Sequence, residues 1–403
     1  MKYDFTSILD RRGMDAIAVA PEEDPYGIAP KGKVRDGFDL IPMWVADMNF
    51  PTAPTICEAV VDRASHPAFG YFAPRQEYFD SIIRWHTSRN HVTGLEKKHI
   101  GYQNGVLGGV LSALAVLCSQ GDNVLIHAPT YVGFLGEVGQ AGYHLISSQL
   151  VKDQNGIWRM DLADMEAKIR KYHIHTTIFC SPHNPTGRVW TREELEAAYA
   201  LFRKYDVYVI SDEIWSDLTL EGYQHIPLQS VSEDARRRTA AFYAPSKTFN
   251  LAGLVGSYHI IYDDYLRDRI SRQSSLSVYN AMNVLSMHAL IGAYRPEGAE
   301  WTDELRQVLT GNIRFAVDFI HAHFPGVEVS EPQATYMLLL DCGQWLAEHG
   351  VTIDELLRKG VEVGVLWQDG RQFNRPDAIR MNLALPRVRV EEAFRRLAEF
   401  VFR

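Results

Sequence analysis

Nowhere in the 403 residues do two cysteines stand close enough for a CxxC redox or zinc motif. Cys57, Cys118, Cys180 and Cys342 are far apart and lie mostly inside apolar runs, so they read as buried thiols in a reducing compartment. No run of about 18 apolar residues occurs, which removes a membrane-spanning helix from the expectations. The opening Met1-Lys2-Tyr3-Asp4-Phe5 has no apolar signal-peptide region. Long Lys/Arg blocks are absent, and a formal charge of −9 argues against a nucleic-acid partner. Internal repeats, low-complexity tracts and a metal-ligand pattern are missing as well. The expectation is a cytoplasmic protein of two domains, since this length buries one large core and a smaller one.

What is present centres on Ala244-Pro245-Ser246-Lys247-Thr248-Phe249-Asn250-Leu251-Ala252-Gly253. Lysines usually sit among other charges, where the ammonium stays hydrated. Here the flanks are small or apolar, and the short apolar run Thr239 to Tyr243 before them reads as a buried strand. A lysine desolvated just past a strand end has a lowered pKa and a usable free amine, as a Schiff-base lysine requires. On its own the segment also fits a loop lysine reaching out to solvent.

Two upstream segments share the pattern. Ser181-Pro182-His183-Asn184-Pro185-Thr186-Gly187 follows the apolar run Thr176 to Cys180, and Ser211-Asp212-Glu213-Ile214-Trp215 follows Val207 to Ile210. Asn-Pro turns and strand-end aspartates are mostly structural when met singly. Asn184, Asp212 and Lys247 together, each at a strand end of an α/β chain, point to one ligand crevice at the carboxyl edge of a sheet.

With these residues the chain resembles the fold-type I pyridoxal-phosphate (PLP) enzymes of the class I/II aminotransferase superfamily. Within it, the chain is most similar to the cystathionine β-lyase and cystalysin-like C-S lyases, the MalY/PatB group. The matching stretches run from Met43-Trp44-Val45-Ala46-Asp47-Met48 to Arg380-Met381-Asn382-Leu383-Ala384. The resemblance implies an α/β, aspartate aminotransferase-like fold. Its large domain would carry a mostly parallel sheet flanked by helices, beside a smaller α+β domain. Residues 1–45 would be an arm joining the small domain, 46–290 the large PLP-binding domain and 291–403 the small C-terminal domain.

The resemblance also implies roles. Lys247 would carry the cofactor and act as the base at Cα. Asp212 would pair with the pyridine nitrogen, and Asn184 would donate to the ring's phenolic oxygen. Tyr131 would stack on the ring, a task that suits a flat π-face. Val106 and Leu107, opening an apolar helix after Asn104-Gly105, would cradle the phosphate through backbone amides. Ser246 would add a hydroxyl there, and Tyr71 would reach the phosphate of the neighbouring subunit in a homodimer with shared active sites. Arg380 would hold the substrate carboxylate with its planar fork, beside Trp44 and Ala46. Trp44, Phe50, Tyr131 and Trp215 are expected to give the mouth an apolar, aromatic character.

Four positions depart from the family pattern: Asn49 where an aspartate is usual, Trp215 where tyrosine or histidine is found, Ala244 in place of a phosphate-binding serine, and Val255 in place of a phosphate-binding arginine. Trp215 would pack on the cofactor and donate one N–H, but its indole cannot exchange a proton. The implied activity is cleavage of L-cystathionine or related L-cysteine S-conjugates to a thiol, pyruvate and ammonia. An aminotransferase uses the same residues and is the alternative, followed by a PLP-fold regulatory protein. The remaining pattern alternates strands and helices. It includes a helix capped by Asp161, a capping box at Thr191 to Glu194, and an apolar helical stretch from Ser274 to Ala293.

Overall fold

The structure, a computed structural model, describes residues 1–276 and 279–403. Its centre is a seven-stranded sheet made of β1 (Ile100–Asn104), β2 (Asn123–Ala128), β3 (His144–Gln149), β4 (Thr176–Cys180), β5 (Tyr208–Asp212), β6 (Thr239–Tyr243) and β7 (Gly256–Ile260). The strands lie in the order β1-β7-β6-β5-β4-β2-β3, and only β7 runs against its neighbours β1 and β6. Every residue of β4 and β6 is buried. Helices cover both faces of a parallel sheet, so its inner strands are apolar in continuous runs rather than in alternation.

The capping expectations hold. The Asp161 side chain accepts the N–H of Asp164 at the start of helix Leu162–Tyr172. Thr191 and Glu194 satisfy each other's backbone donors at the start of Arg192–Lys204. Caps of this kind are worth about 1 kcal/mol each. The helix expected from Ser274 to Ala293 is instead broken. One helix ends at Ser275, and the next, Val284–Ala293, opens where Asn283 accepts the N–H groups of Leu285 and Ser286. An asparagine competes for backbone donors and starts a helix more readily than it sits inside one. Ser277 and Val278, within that expected stretch, lie outside the described residues.

A second, four-stranded sheet is built from β8 (Glu328–Val329), β9 (Met337–Asp341), β10 (Gln368–Asp369) and β11 (Ala378–Asn382), in the order β8-β9-β11-β10. Its strands pair antiparallel throughout. The 28-residue helix Pro296–His323 packs its apolar stripe into the same core. Residues 1–40 are irregular, with scattered turns and bends and one short 3-10 turn at Pro21–Glu23, and are pinned where Phe5 meets Phe50 edge-on at 5.3 Å between ring centres. Ile41–Pro42 then pairs with Val365–Leu366 and delivers the segment from Met43 to Asn49 to the carboxyl edge of the large sheet.

The expected burial of the cysteines holds for Cys180 and Cys342 only. Cys118 is half-buried and Cys57 exposed. In helix Pro54–Ala64 the core-facing residues are Thr55, Ile56 and Ala59, and Cys57 falls on the opposite side of the turn.

Candidate active site

β4, β5 and β6 are adjacent and parallel, with Cys180 opposite Asp212 and Asp212 opposite Phe242. That register brings Asn184, Asp212 and Lys247, each at or just beyond a carboxyl end, to one edge of the sheet. Lys247 sits in the single helical turn Pro245–Thr248 that follows β6. Its Nζ donates to the Ala46 carbonyl at 2.8 Å, and burial lowers its pKa to about 8 despite the nearby Asp47. About a tenth of the amine is therefore neutral at pH 7, several hundred times the share of an ordinary lysine, and that neutral form is what a Schiff-base nucleophile needs. Asn250 fastens the opposing segment: its amide donates to the Met48 carbonyl at 2.8 Å, and its carbonyl accepts the Met48 N–H at 2.9 Å.

Asp212 is almost fully buried, and the one hydrogen bond its side chain makes among the described residues comes from the Ile214 N–H at 3.1 Å. Desolvation drives its carboxyl up to about 6, against that bond and the field of Lys247. Among the described residues no cation forms an ion pair with it, and the only cationic field that acts on it is that of Lys247. Arg380 presents the opposite case on β11. It donates to Asn184 Oδ1 and to the Trp44 carbonyl, both at 3.2 Å, and to Gln368 Oε1. Among the described residues its Nε is buried without a partner, and burial lowers the guanidinium to about 9. An arginine held by neutral acceptors, with one donor orphaned, is built to receive an anion.

Tyr131 packs edge-on against Phe134 at 5.4 Å, and burial raises its phenol to about 12. Gly133 makes that placement possible, because a Cβ there would stand 2.5 Å from the Tyr131 ring. Trp215 is buried, lies edge-on to Tyr336 at 4.8 Å, and has Lys247 Nζ 5.9 Å from its ring centre. At the end of β1, Gly105 adopts φ +79° and starts helix Val106–Leu117, so the first amides of that helix, Val106 and Leu107 included, have no intrahelical acceptors. Gly105 also donates to the carbonyl of Val255, which itself takes φ +60°, a left-handed conformation rare for a β-branched residue. Ser246 is half-buried beside Lys247, and Tyr71 is fully exposed on the loop before helix Gln76–Arg89.

A family profile for aminotransferase class I and II matches residues 39–397. The chain belongs to this family. Cystathionine beta-lyase PatB of Bacillus subtilis is 32% identical and aligns with 89% of this chain and 92% of its own. Protein MalY of Escherichia coli is 31% identical over 97% of this chain and 96% of its own. Among solved structures, the PLP-bound C-S lyase of Staphylococcus hominis is 28% identical, covers 100% of this chain and 99% of its own, and superposes with a TM-score of 0.89. The chain has the PLP-dependent aminotransferase-like fold.

Two expectations at the mouth need correction. The Trp44 side chain does not line it: the indole is fully buried, donates to the Ala18 carbonyl at 3.1 Å and packs on Val361 and Leu366. Trp44 meets the site through its carbonyl on Arg380, and Ala46 likewise through its carbonyl on Lys247. Phe50 is core, wedged against Phe5. A tryptophan beside a strand has two faces to choose from, and the pairing of Ile41–Pro42 with Val365–Leu366 decided this one.

Several members of the site carry no local signal in the sequence. The Tyr336 hydroxyl donates to the same Ala46 carbonyl as Lys247, at 2.9 Å. Gln368 passes the contact of Arg380 on to Gln372 at 2.8 Å, and Gln372 donates to the carbonyl of Ile28 in the N-terminal arm at 3.3 Å. Arg11 from the same arm pairs with Asp47 at 2.5 Å and also donates to Asn49 Oδ1 at 3.1 Å, which gives the family-atypical Asn49 a neutral acceptor's part.

Proposed function

We propose that the chain is a PLP-dependent carbon–sulfur β-lyase that cleaves L-cystathionine or related L-cysteine S-conjugates. The observation that carries the reading is the convergence of a neutralisable lysine, an unpaired buried carboxylate and an anion-seeking arginine at one sheet edge, in a chain whose relatives include a cystathionine beta-lyase. The residues fit the cofactor. Asp212 offers the charge that a protonated pyridine nitrogen takes, Lys247 the amine, and the amides of Val106 and Leu107 with Ser246 the phosphate donors. PLP supplies, when bound, an electron-accepting ring that stabilises negative charge developing at the substrate Cα.

The chain's own residues do the rest. Arg380 grips the α-carboxylate with its free donor and orients Cα toward Lys247. The Lys247 amine takes the Cα proton at Nζ, which its lowered pKa allows near neutral pH. Departure of the thiolate from Cβ and addition of one water then give a thiol, pyruvate and ammonia. Trp215 and Tyr131 exclude water from the ring faces. Tyr71, exposed in the single chain, completes the site of a second subunit in a homodimer. Four cysteines without disulfides accord with a cytoplasmic setting.

Pyruvate release from L-cystathionine without an added keto acid is the test. Turnover that depends on a keto acid assigns an aminotransferase instead. A purified chain without a long-wavelength cofactor absorbance assigns the regulatory alternative.

A further inference from the structure

At the amino ends of the parallel strands, opposite the crevice, three donor side chains of different chemistry converge. Asp122 immediately precedes β2, His175 immediately precedes β4, and Cys118 closes the helix Val106–Leu117. β2 and β4 pair with Leu125 opposite Thr177, so residues 122 and 175 emerge side by side by register alone. The ligand atoms of Cys118, Asp122 and His175 all lie within 4.8 Å of one another, and His175 Nε2 stands 3.6 Å from Asp122 Oδ2.

These distances suit a small divalent ion. With zinc–ligand bonds of about 2.0–2.3 Å, tetrahedral donors stand about 3.3–3.7 Å apart, so the trio closes round an ion by shifts of about 1 Å. The scaffold is rigid, since each donor is anchored at the end of a strand or helix of the main sheet layer. The carboxyl end of a 12-residue helix faces the site and favours positive charge. The backbone groups bonded to the trio are neutral: Ser119 N–H donates to Asp122 Oδ2 at 2.8 Å, and the Leu117 carbonyl lies 3.1 Å from His175 Nε2. Thiolate, imidazole and carboxylate together select a borderline-soft ion over Mg²⁺ or Ca²⁺. Partial exposure of all three residues leaves room for a water as fourth ligand.

We propose that Cys118, Asp122 and His175 form a Zn²⁺ site that pins the end of helix Val106–Leu117 to the amino ends of β2 and β4. Binding releases the Cys118 proton to solvent and exchanges the contact of His175 with Leu117 for the ion. The site lies at the far end of that helix from the amides assigned to the phosphate, so it acts on stability and is independent of the lyase reading.

Isothermal titration of the EDTA-dialysed holoenzyme with zinc chloride tests this in wild type, Cys118→Ser, His175→Ala and Cys57→Ser. The expected result is one ion per chain in wild type and in Cys57→Ser, with affinity lower by about tenfold or more in the two ligand variants. Zinc should raise the melting temperature only where it binds tightly. Absence of stoichiometric binding in wild type, or an affinity unmoved in either ligand variant, would overturn the proposal.

Discussion

Replacing Asp212 with asparagine should shift the stability of the cofactor-free chain in the variant's favour as pH rises, while crippling the loaded enzyme. In the cofactor-free chain the carboxyl is moved by burial from its ordinary 3.8 to about 6, so its anion is destabilised by about 3 kcal/mol relative to the unfolded chain. Below about pH 3 both states are protonated and nothing is lost. Between 3.8 and about 6 the folded state still holds a proton that the unfolded state has released, and stability falls as pH rises through that window. Above it the whole penalty is present. The Asp212→Asn variant would have no such slope. Its amide keeps an acceptor for Ile214 N–H but buries an N–H₂ group, at a fixed cost of about 1–3 kcal/mol. The stability difference between variant and wild type should therefore shift by about 3 kcal/mol in favour of the variant between about pH 3 and pH 7. Urea midpoints of both cofactor-free proteins across that range, at one protein concentration, measure it. A difference that stays flat, or wild type gaining on the variant as pH rises, refutes the argument that Asp212 awaits a cation. In the loaded enzyme the sign reverses. Loss of one partner of a buried charge pair, about 2–5 kcal/mol, should lower kcat/KM by about 30- to 4000-fold.

Lys247→Ala should abolish turnover, and borohydride reduction of the wild type should label Lys247; label on another lysine contradicts the assignment. In the cofactor-free chain an amine reagent should modify Lys247 with a midpoint near pH 8, ahead of surface lysines. Arg380→Ala should lower kcat/KM for cystathionine and for an S-alkyl cysteine by similar factors, about 30-fold or more, since both carry the α-carboxylate. Trp215 variants should instead reorder the two substrates, and aspartate transamination exceeding cystathionine cleavage in the wild type would reject the substrate reading. Mixing Tyr71→Phe with Lys247→Ala subunits should yield heterodimers with one intact site, detected as regained activity; a fully active monomer in sedimentation rules out sharing.

By itself the sequence determined the central strands β4, β5 and β6 and the polar residues at their ends, Asn184, Asp212 and Lys247, because a buried parallel strand followed by a turn is a local pattern of a few residues; the edge strand β1 (Ile100–Asn104) carried no such pattern. It also determined the capping at Asp161 and Thr191, where donor and acceptor lie three residues apart. Only the tertiary structure decided that β4, β5 and β6 are neighbours and that β7 runs against them, since strand order depends on crossovers that periodicity does not record. The same holds for the direction of Trp44. Its indole could face the crevice or the core, and a pairing between segments near opposite ends of the chain, Ile41 with Val365, chose the core. Tyr336 and Gln368 stayed hidden for a related reason. Each serves the site through a single hydrogen bond, to Ala46 and to Arg380, and the residues around them in the chain look like ordinary core. Contacts of that range form only when two sheets and an arm close on one another, and no local propensity announces them.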